Sequence, residues 1–303
     1  MQYSPVVSAE NNGKSIRIVL SKSGPVYDKF AASLSKKIHL TRPNIPVEIR
    51  VLASMDVEQD AKLPPALYVP VGVNATRALI SVKSSIPLIA ALVPDESFRI
   101  LRSKGADGCR SGKLCSAIVL DQPPSRQLAL ISNILGKKVR VGILAGSDNM
   151  LRVNYYQSEA KKAGIVLDVE KIGSESELVP GLERLLKRTD MLVAVPDPVV
   201  FNANTIKHIL LTTYRYRRPL TAYSPGYVKA GALAAIYSTP EDVAHDLASW
   251  LHKKWFNNGR QLPGILVPES YSVELNEWVA KSLGIKLPEI AELKRAIDKE
   301  SGK

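Results

Sequence analysis

The sequence predicts an α/β protein of two doubly wound, Rossmann-like lobes. Short Val/Ile/Leu-rich runs alternate with amphipathic stretches through most of the chain, and apolar runs without alternation suit parallel strands covered on both faces. The series restarts after Pro123-Pro124, so two β-α series share the chain in place of one long sheet. The length of 303 residues also suits two cores better than one. A TIM barrel is the rival arrangement; the Pro-Pro break and the uneven spacing argue against it.

Ile16–Leu20 is a buried strand ending at Ser-Lys-Ser-Gly-Pro, where Pro25 opens a helix. That helix carries Phe30, Leu34 and Ile38 on one face. Strands are expected at 47–52, 66–70, 87–93 and 117–120, with a helix over 74–83. The second series reads as helix 125–135, strand 139–144, helix 149–163 stopped by Gly164, strand 165–170, helix 175–187 and strand 191–195. Helix 201–214 and strands 220–222 and 232–237 complete it. The tail has a long helix over 241–256 with Val243, Leu247, Trp250 and Leu251 inward, an extended piece at 264–267, a helix over 273–282 capped by Gly284, and a docked but frayed helix over 289–299.

No stretch approaches the roughly 20 apolar residues that span a bilayer. Lys and Arg number 41 against 29 Asp and Glu, a net charge of +12, which suits an anionic partner without choosing one. Tyr214-Arg215-Tyr216-Arg217-Arg218 resembles a nucleic-acid stripe, but five residues make no footprint, and a basic helix end explains them better. The four histidines are scattered and no Cys or carboxylate joins them at ligand spacing, so no metal is expected. Cys109 and Cys115 flank a loop holding Gly112. They are read as a disulfide, with two free thiols as the alternative, and a disulfide would place the chain in an oxidising compartment. The same loop is no phosphate loop, since Leu114 stands where a Ser or Thr is needed.

Ligands of open parallel sheets bind beyond the carboxyl ends of the strands. Here those are segments 21–24, 72–76, 94–97, 146–149, 197–198 and 223–226, rich in Gly, Ser, Asn, Asp and Pro. Several open helices, whose free N–H groups attract anions, although turns everywhere favour such residues. There is no G-x-S-x-G, H-E-x-x-H or G-x-G-x-x-G motif, and no catalytic residue, cofactor or enzymatic activity is expected.

The ordered segments AGIVLDVEKIGSESEL, TDMLVAVPDPVV, RRPLTAYSPGYVKAGALAAIYSTPEDVAHDLASWLHKKWFNNGRQLP and ELNEWVAKSLGIKLPE resemble the bacterial ABC-transporter substrate-binding proteins of the uncharacterised tryptophan/tyrosine-type group. The resemblance spans about residues 66–288 and is best in 192–235 and 276–288. It implies the type I periplasmic-binding-protein clamshell, two lobes joined by a hinge, with a ligand cleft between them. Lobe 1 is then 1–121 with 240–262, and lobe 2 is 122–239 with 263–303. The implied solute is small and polar or amino-acid-like, aromatic amino acids included. Matching positions are Asn74, Ala75 and Thr76, then Leu92, Val93 and Asp95, then Asp148 and Asn149, Asp197, and Tyr223 with Ser224; Ser23 joins them from the first strand end. Helix starts would take a carboxylate, Asp197 an ammonium and Tyr223 a ring or apolar part. The chain departs from the group in having Pro94-Asp95-Glu96 after the fourth strand and the cysteine loop beyond it.

The expected function is therefore an extracytoplasmic solute-binding protein of an ABC-type uptake system, a monomer that meets a membrane permease or other envelope partner and no nucleic acid. The expected place is the periplasm, or the outer side of the cytoplasmic membrane by an anchor, with the leader absent from this sequence. Two alternatives stand beside it: a ligand-sensing clamshell without a transport role, and a nucleotide- or sugar-using two-lobed enzyme.

Overall fold

A computed structural model describes residues 15–55, 64–82, 85–136, 138–146, 149–197, 199–257 and 261–302. The chain divides into two compact units, one running to Asp121 and taking in Ser238–Ser270, the other holding Gln122–Tyr237 and the segment from Tyr271 onward. The chain thus passes between units after residues 121, 237 and 270. The sequence reading puts the last passage after 262. Two interactions keep 263–270 with the first unit. Leu266 bridges to Ile118 in parallel fashion, and Asp246 Oδ2 accepts from the N–H groups of Glu269 and Ser270 at 2.7 and 2.8 Å.

The first unit holds a five-stranded sheet of β1 (Ile16–Leu20), β2 (Val47–Val51), β3 (Leu67–Val71), β4 (Leu88–Val93) and β5 (Cys115–Val119), in the order β2-β1-β3-β4-β5. All its pairings are parallel. Helices α1 (Pro25–Thr41), α2 (Val73–Ser81), α3 (Asp95–Ser103) and α4 (Asp107–Arg110) connect the strands. The second unit holds β6 (Arg140–Gly146), β7 (Val166–Ile172), β8 (Met191–Val193), β9 (Leu220–Ala222) and β10 (Ala234–Tyr237). Its helices are α5 (Pro124–Leu135), α6 (Met150–Ala163), α7 (Glu175–Leu186), α8 (Ile206–Arg215) and α9 (Pro225–Ala230). Helix α10 (Pro240–Trp250) returns to the first unit, and β11 (Ser272–Leu275), α11 (Glu277–Leu283) and α12 (Ile290–Glu300) end the second. Its sheet runs β11-β10-β9-β8-β6-β7. Read from β7, this repeats the order of the first sheet and adds one antiparallel edge strand, β11 on β10.

Burial explains why these strands are short and apolar. Ile16, Ile18 and Leu20 face a core shared with Phe30, Leu34, Ile38, Leu247 and Trp255, while Val19 faces the opposite core with Tyr68, Phe98 and Cys109. In the second unit Val141 and Ile143 pack with α5, α6 and α12 side chains, and Leu144 and Leu192 with those of α7 and α8. Gly164, left-handed at φ 69°, ends α6 as expected.

Several elements differ from the sequence reading. Helices α3 and α4 fill a stretch read as loop; Phe98 is the one buried residue of α3, whose nine residues are mostly charged or polar. Residues 199–205 are not helical, so α8 starts later than 201. Asn202 Oδ1 accepts from the N–H groups of Asn204 and Thr205, and Thr205 Oγ1 donates to the Val200 carbonyl at 2.7 Å, local bonds that compete with a helix. Helix α9 occupies 225–230, between strands read as joined by a loop. Residues 273–275 belong to β11, not to a helix. The 241–256 helix ends in one π turn, Leu251–Trp255. The last helix is docked, with Leu293 and Ile297 buried and Tyr271 Oη donating to the Lys294 carbonyl and Asp298 Oδ1.

Candidate functional site

In this strand order the topological switch point lies between the first and third strands, where the connections leave in opposite directions and part the loops. The first unit has its switch point at the ends of β1 and β3. There Ser21 Oγ donates to the Val71 carbonyl at 2.8 Å and accepts from Ala75 N–H at 2.9 Å, so one hydroxyl joins the two loops. Gly72 follows β3 at φ 84°, and a Cβ there would lie 2.8 Å from Tyr27 Oη and 2.9 Å from Ser21 Oγ. Thr76 Oγ1 donates back to the Gly72 carbonyl at 2.8 Å.

Ser23 and Asn74 are exposed beside this junction, while Ala75 and Thr76 are buried within it. At the end of β4 the backbone turns left-handed at Leu92, φ 53°, where the register with β5 shifts. Such a conformation is costly for a branched side chain and belongs to a bulge that re-aims the strand end. Leu92 and Val93 point into opposite cores and are buried, so they shape the strand end and leave only backbone for contact. Asp95 opens α3; Arg99 Nε donates to both of its oxygens at 2.8 and 2.9 Å, and its own N–H donates to Asp121 Oδ2 at 2.6 Å.

The second unit has its switch point at the ends of β6 and β8. Asp197 joins them, 4% exposed. Its Oδ2 accepts from Gly146 N–H at 2.7 Å and Asn149 Nδ2 at 3.0 Å, and its Oδ1 from the N–H groups of Val199 and Val200 at 2.9 and 3.1 Å. Four donors fill the carboxylate, so its bonds hold the two loops together and none is left for the ammonium role expected from the sequence. A Cβ at Gly146 would lie 3.3 Å from both carboxylate oxygens, which is why a glycine ends β6.

Asn149 precedes α6 and is 4% exposed. Its Nδ2 donates to Asp197 and to the Pro196 carbonyl at 3.1 Å, which fixes the amide's orientation. Its Oδ1 is buried and has no hydrogen-bond partner among the described residues, and its side chain does not cap α6. An unfilled acceptor thus stands at the start of α6. Asp148 lies outside the described residues.

Tyr223 and Ser224 follow β9, both half-buried. Tyr223 packs against Tyr227 with ring centroids 5.0 Å apart and planes tilted by 55°, and their hydroxyls lie 2.7 Å apart. Tyr227 meets Phe201 edge-on at 6.4 Å, and Phe201 N–H donates to the Asp197 carbonyl at 2.7 Å. Burial raises the Tyr227 phenol pKa, partly opposed by the Tyr223 bond, so the Tyr227 hydroxyl is a neutral donor and acceptor at neutral pH. Phe201 and Tyr227 were not singled out in the sequence; the Tyr223/Tyr227 spacing of four across a helix start is the signal that carries them. The structure therefore joins Gly146, Asn149, Asp197, Phe201, Tyr227 and Tyr223 into one contiguous group.

Cys109 and Cys115 form a disulfide, with Cα atoms 4.6 Å apart, tying α4 to the first residue of β5. Among the described residues no group of three or more His, Cys, Asp or Glu is placed to hold a metal ion, and no helix is long and apolar enough to cross a membrane.

Comparison with known proteins assigns the class. Residues 57–296 match the family described as ABC transporter substrate binding protein, and the chain belongs to that family. It is a solute-binding protein for ABC uptake rather than an enzyme. No curated protein matches the sequence. Among solved structures, a ligand-free, open substrate-binding protein with adhesive properties from Clostridium difficile is similar with a TM-score of 0.69 at 17% identity, over 91% of this chain and 96% of that one. A Streptococcus pneumonia ABC domain in complex with L-Trp gives 0.60 at 16%, over 94% and 98%. An arabinose-binding protein from Geobacillus stearothermophilus gives 0.57 at 12%, over 89% and 99%. These likenesses share the two-lobed fold.

Proposed function

We propose that the solute is small and amino-acid-like, with an aromatic or apolar part, and that the loops at the second unit's switch point contact it. The observation that carries this reading is Asn149, whose buried Oδ1 has no donor among the described residues and stands at the start of α6. An amino acid suits this place: its ammonium or another N–H donates to Asn149 Oδ1, and its carboxylate lies toward the positive end of α6. The edge formed by Tyr223, Tyr227 and Phe201 suits the apolar part. Asp197 is a positioning residue here, acting through Asn149 and Gly146. Ser23 and Asn74, exposed beside the first unit's switch point, and Ala75 and Thr76, buried in it, are that unit's candidates, with Asp95 and Ser224 at the margins. Asp148 remains a candidate by sequence alone. The similar protein in complex with L-Trp supports the solute class.

The partner is an ABC-type membrane permease, and the protein acts as a monomer without nucleic acid. The Cys109–Cys115 disulfide supports an oxidising, extracytoplasmic location. A thermal-shift screen of amino acids, small carboxylates, purines and sugars, on protein refolded to strip bound solute, tests the reading. A ligand at a hundred times its Kd stabilises by about 2.7 kcal/mol. An amino acid is expected to raise Tm by several degrees and Asn149→Ala to abolish the rise. A response to sugars alone, or a full response in Asn149→Ala, overturns the proposal.

A further inference from the structure

The first unit carries a cationic face far from its switch point. Helices α1 and α10 pack side by side and run the same way. Lys29 Nζ lies 4.0 Å from Glu241 Oε1 near their starts, Lys37 Nζ lies 3.2 Å from His245 Nδ1 further along, and Arg42 Nη2 donates to Asn257 Oδ1 at 3.0 Å beyond their ends. Carboxylates gather at the starts, where Asp28 binds Gly24 N–H and Asp242 closes a capping box with Thr239. From residue 29 to 42, and again from 247 to 256, the sequence has no Asp or Glu.

The far ends of this packed pair are both basic: Lys36, Lys37 and His39 lie toward the end of α1, and Lys253 and Lys254 on the π turn after α10. Among the described residues no carboxylate is paired with any of these lysines. Leu40, one turn after Lys36 on the same stripe, is 73% exposed. Attraction of cations to helix carboxyl ends accounts for charge in a last turn, but it calls neither for Lys36 two turns earlier nor for an exposed leucine among the cations.

We propose that this face docks on an anionic phospholipid surface. Exposed lysines answer the phosphate headgroups, Leu40 answers the acyl boundary, and long lysine stems reach from one to the other. A helix that follows a parallel strand runs back along the sheet, so the carboxyl end of α1 lies at the amino-end edge of the strands. The Ser21 and Gly72 loops at the opposite edge of this unit stay uncovered while the face is seated. The proposal needs only a nearby bilayer from the uptake reading and uses none of the solute-site residues.

The test is co-sedimentation of the full chain with vesicles of phosphatidylglycerol in phosphatidylethanolamine, beside vesicles of phosphatidylcholine alone. The chain is expected to partition onto the anionic vesicles, weakly onto the neutral ones, and to be released as ionic strength rises. K36Q/K253Q/K254Q is expected to lower partitioning roughly a hundredfold, from about tenfold or less per lysine. K36R/K253R/K254R should retain it, and K229Q/K281Q/K286Q, an equal charge change on the second unit, should alter it little. Equal losses in the two glutamine triples, or equal binding to phosphatidylcholine, would overturn the proposal. Solute response in the thermal-shift screen should be unchanged in all three triples, so failure of vesicle binding and failure of the solute-site reading show up separately.

Discussion

The two switch points do the same mechanical work with different chemistry. In the first unit a neutral hydroxyl, Ser21 Oγ, joins the loop after β1 to the loop after β3 with one donation and one acceptance. In the second a buried carboxylate, Asp197, joins the loop after β6 to the loop after β8 by accepting from four N–H groups. The strand order around them is the same. A hydroxyl junction is self-satisfied and leaves little for a ligand. The carboxylate junction consumes the Asn149 amide nitrogen and leaves the amide oxygen unfilled. Topology is thus shared between the units, and the unfilled buried acceptor belongs to the second.

That contrast sets an order of effects. Asp197→Ala should be the most damaging single change. It strands four donors around a buried site, and a loss of about 3–5 kcal/mol is expected in urea unfolding. Asp197→Asn, which keeps one acceptor oxygen, should cost clearly less. If Asp197→Ala unfolds with the wild-type midpoint, the carboxylate does not organise the second unit's loops. Gly72→Ala comes next, at about 2 kcal/mol, because the left-handed backbone and the contacts with Tyr27 and Ser21 both oppose a Cβ. Ser21→Ala should cost about 1 kcal/mol, the ordinary worth of a hydrogen-bonded hydroxyl. A Ser21→Ala loss as large as that of Asp197→Ala would erase the distinction drawn between the junctions.

The smallest effect concerns the equivalent edge strands β2 and β7. Glu48 bonds Arg17 on β1 at 3.0 Å, whereas Glu170 on β7 accepts from Arg184 and Arg188, both at 2.7 Å. Burial works to raise the Glu170 pKa, but the Arg188 and Arg184 bonds outweigh it and hold the carboxyl below its ordinary 4.5. A depressed value means stabilisation present above pH 4.5 and lost as pH falls through the folded value. Glu170→Gln should therefore cost about 1 kcal/mol or less at neutral pH, and flatten the acid limb of a stability-against-pH curve. An unchanged acid limb would show that this network is neutral.

The lobes were legible because burial on both faces writes itself into strands such as Leu88–Val93 and Met191–Val193 as unbroken apolar runs. Gly164 and Pro25 marked helix ends for stereochemical reasons visible in any sequence. What escaped were elements with few buried residues. Helix α3 buries only Phe98, and β11 is four half-buried residues next to a helix. The strand-end rule found the right segments, but it could not tell which side chains turn inward. Asp197 looked like a free anion at a strand end; only the fold brings Gly146, Asn149 and its own following turn onto its oxygens. The left-handed Leu92 and the Phe201–Tyr227 contact are likewise products of packing, with no local pattern to announce them.

The central claim is the proposal that an amino-acid-like solute is held at the second unit's switch point through Asn149. Calorimetric titration of the solute found by thermal shift, into wild type, Asn149→Ala and Asn74→Ala, tests it most directly. Removing a buried hydrogen-bond partner of a charged group is worth roughly 1.5–3 kcal/mol, so Asn149→Ala is expected to weaken binding by about ten- to a hundredfold. Asn74→Ala, at an exposed position, is expected to weaken it several-fold. Wild-type affinity in Asn149→Ala would contradict the account.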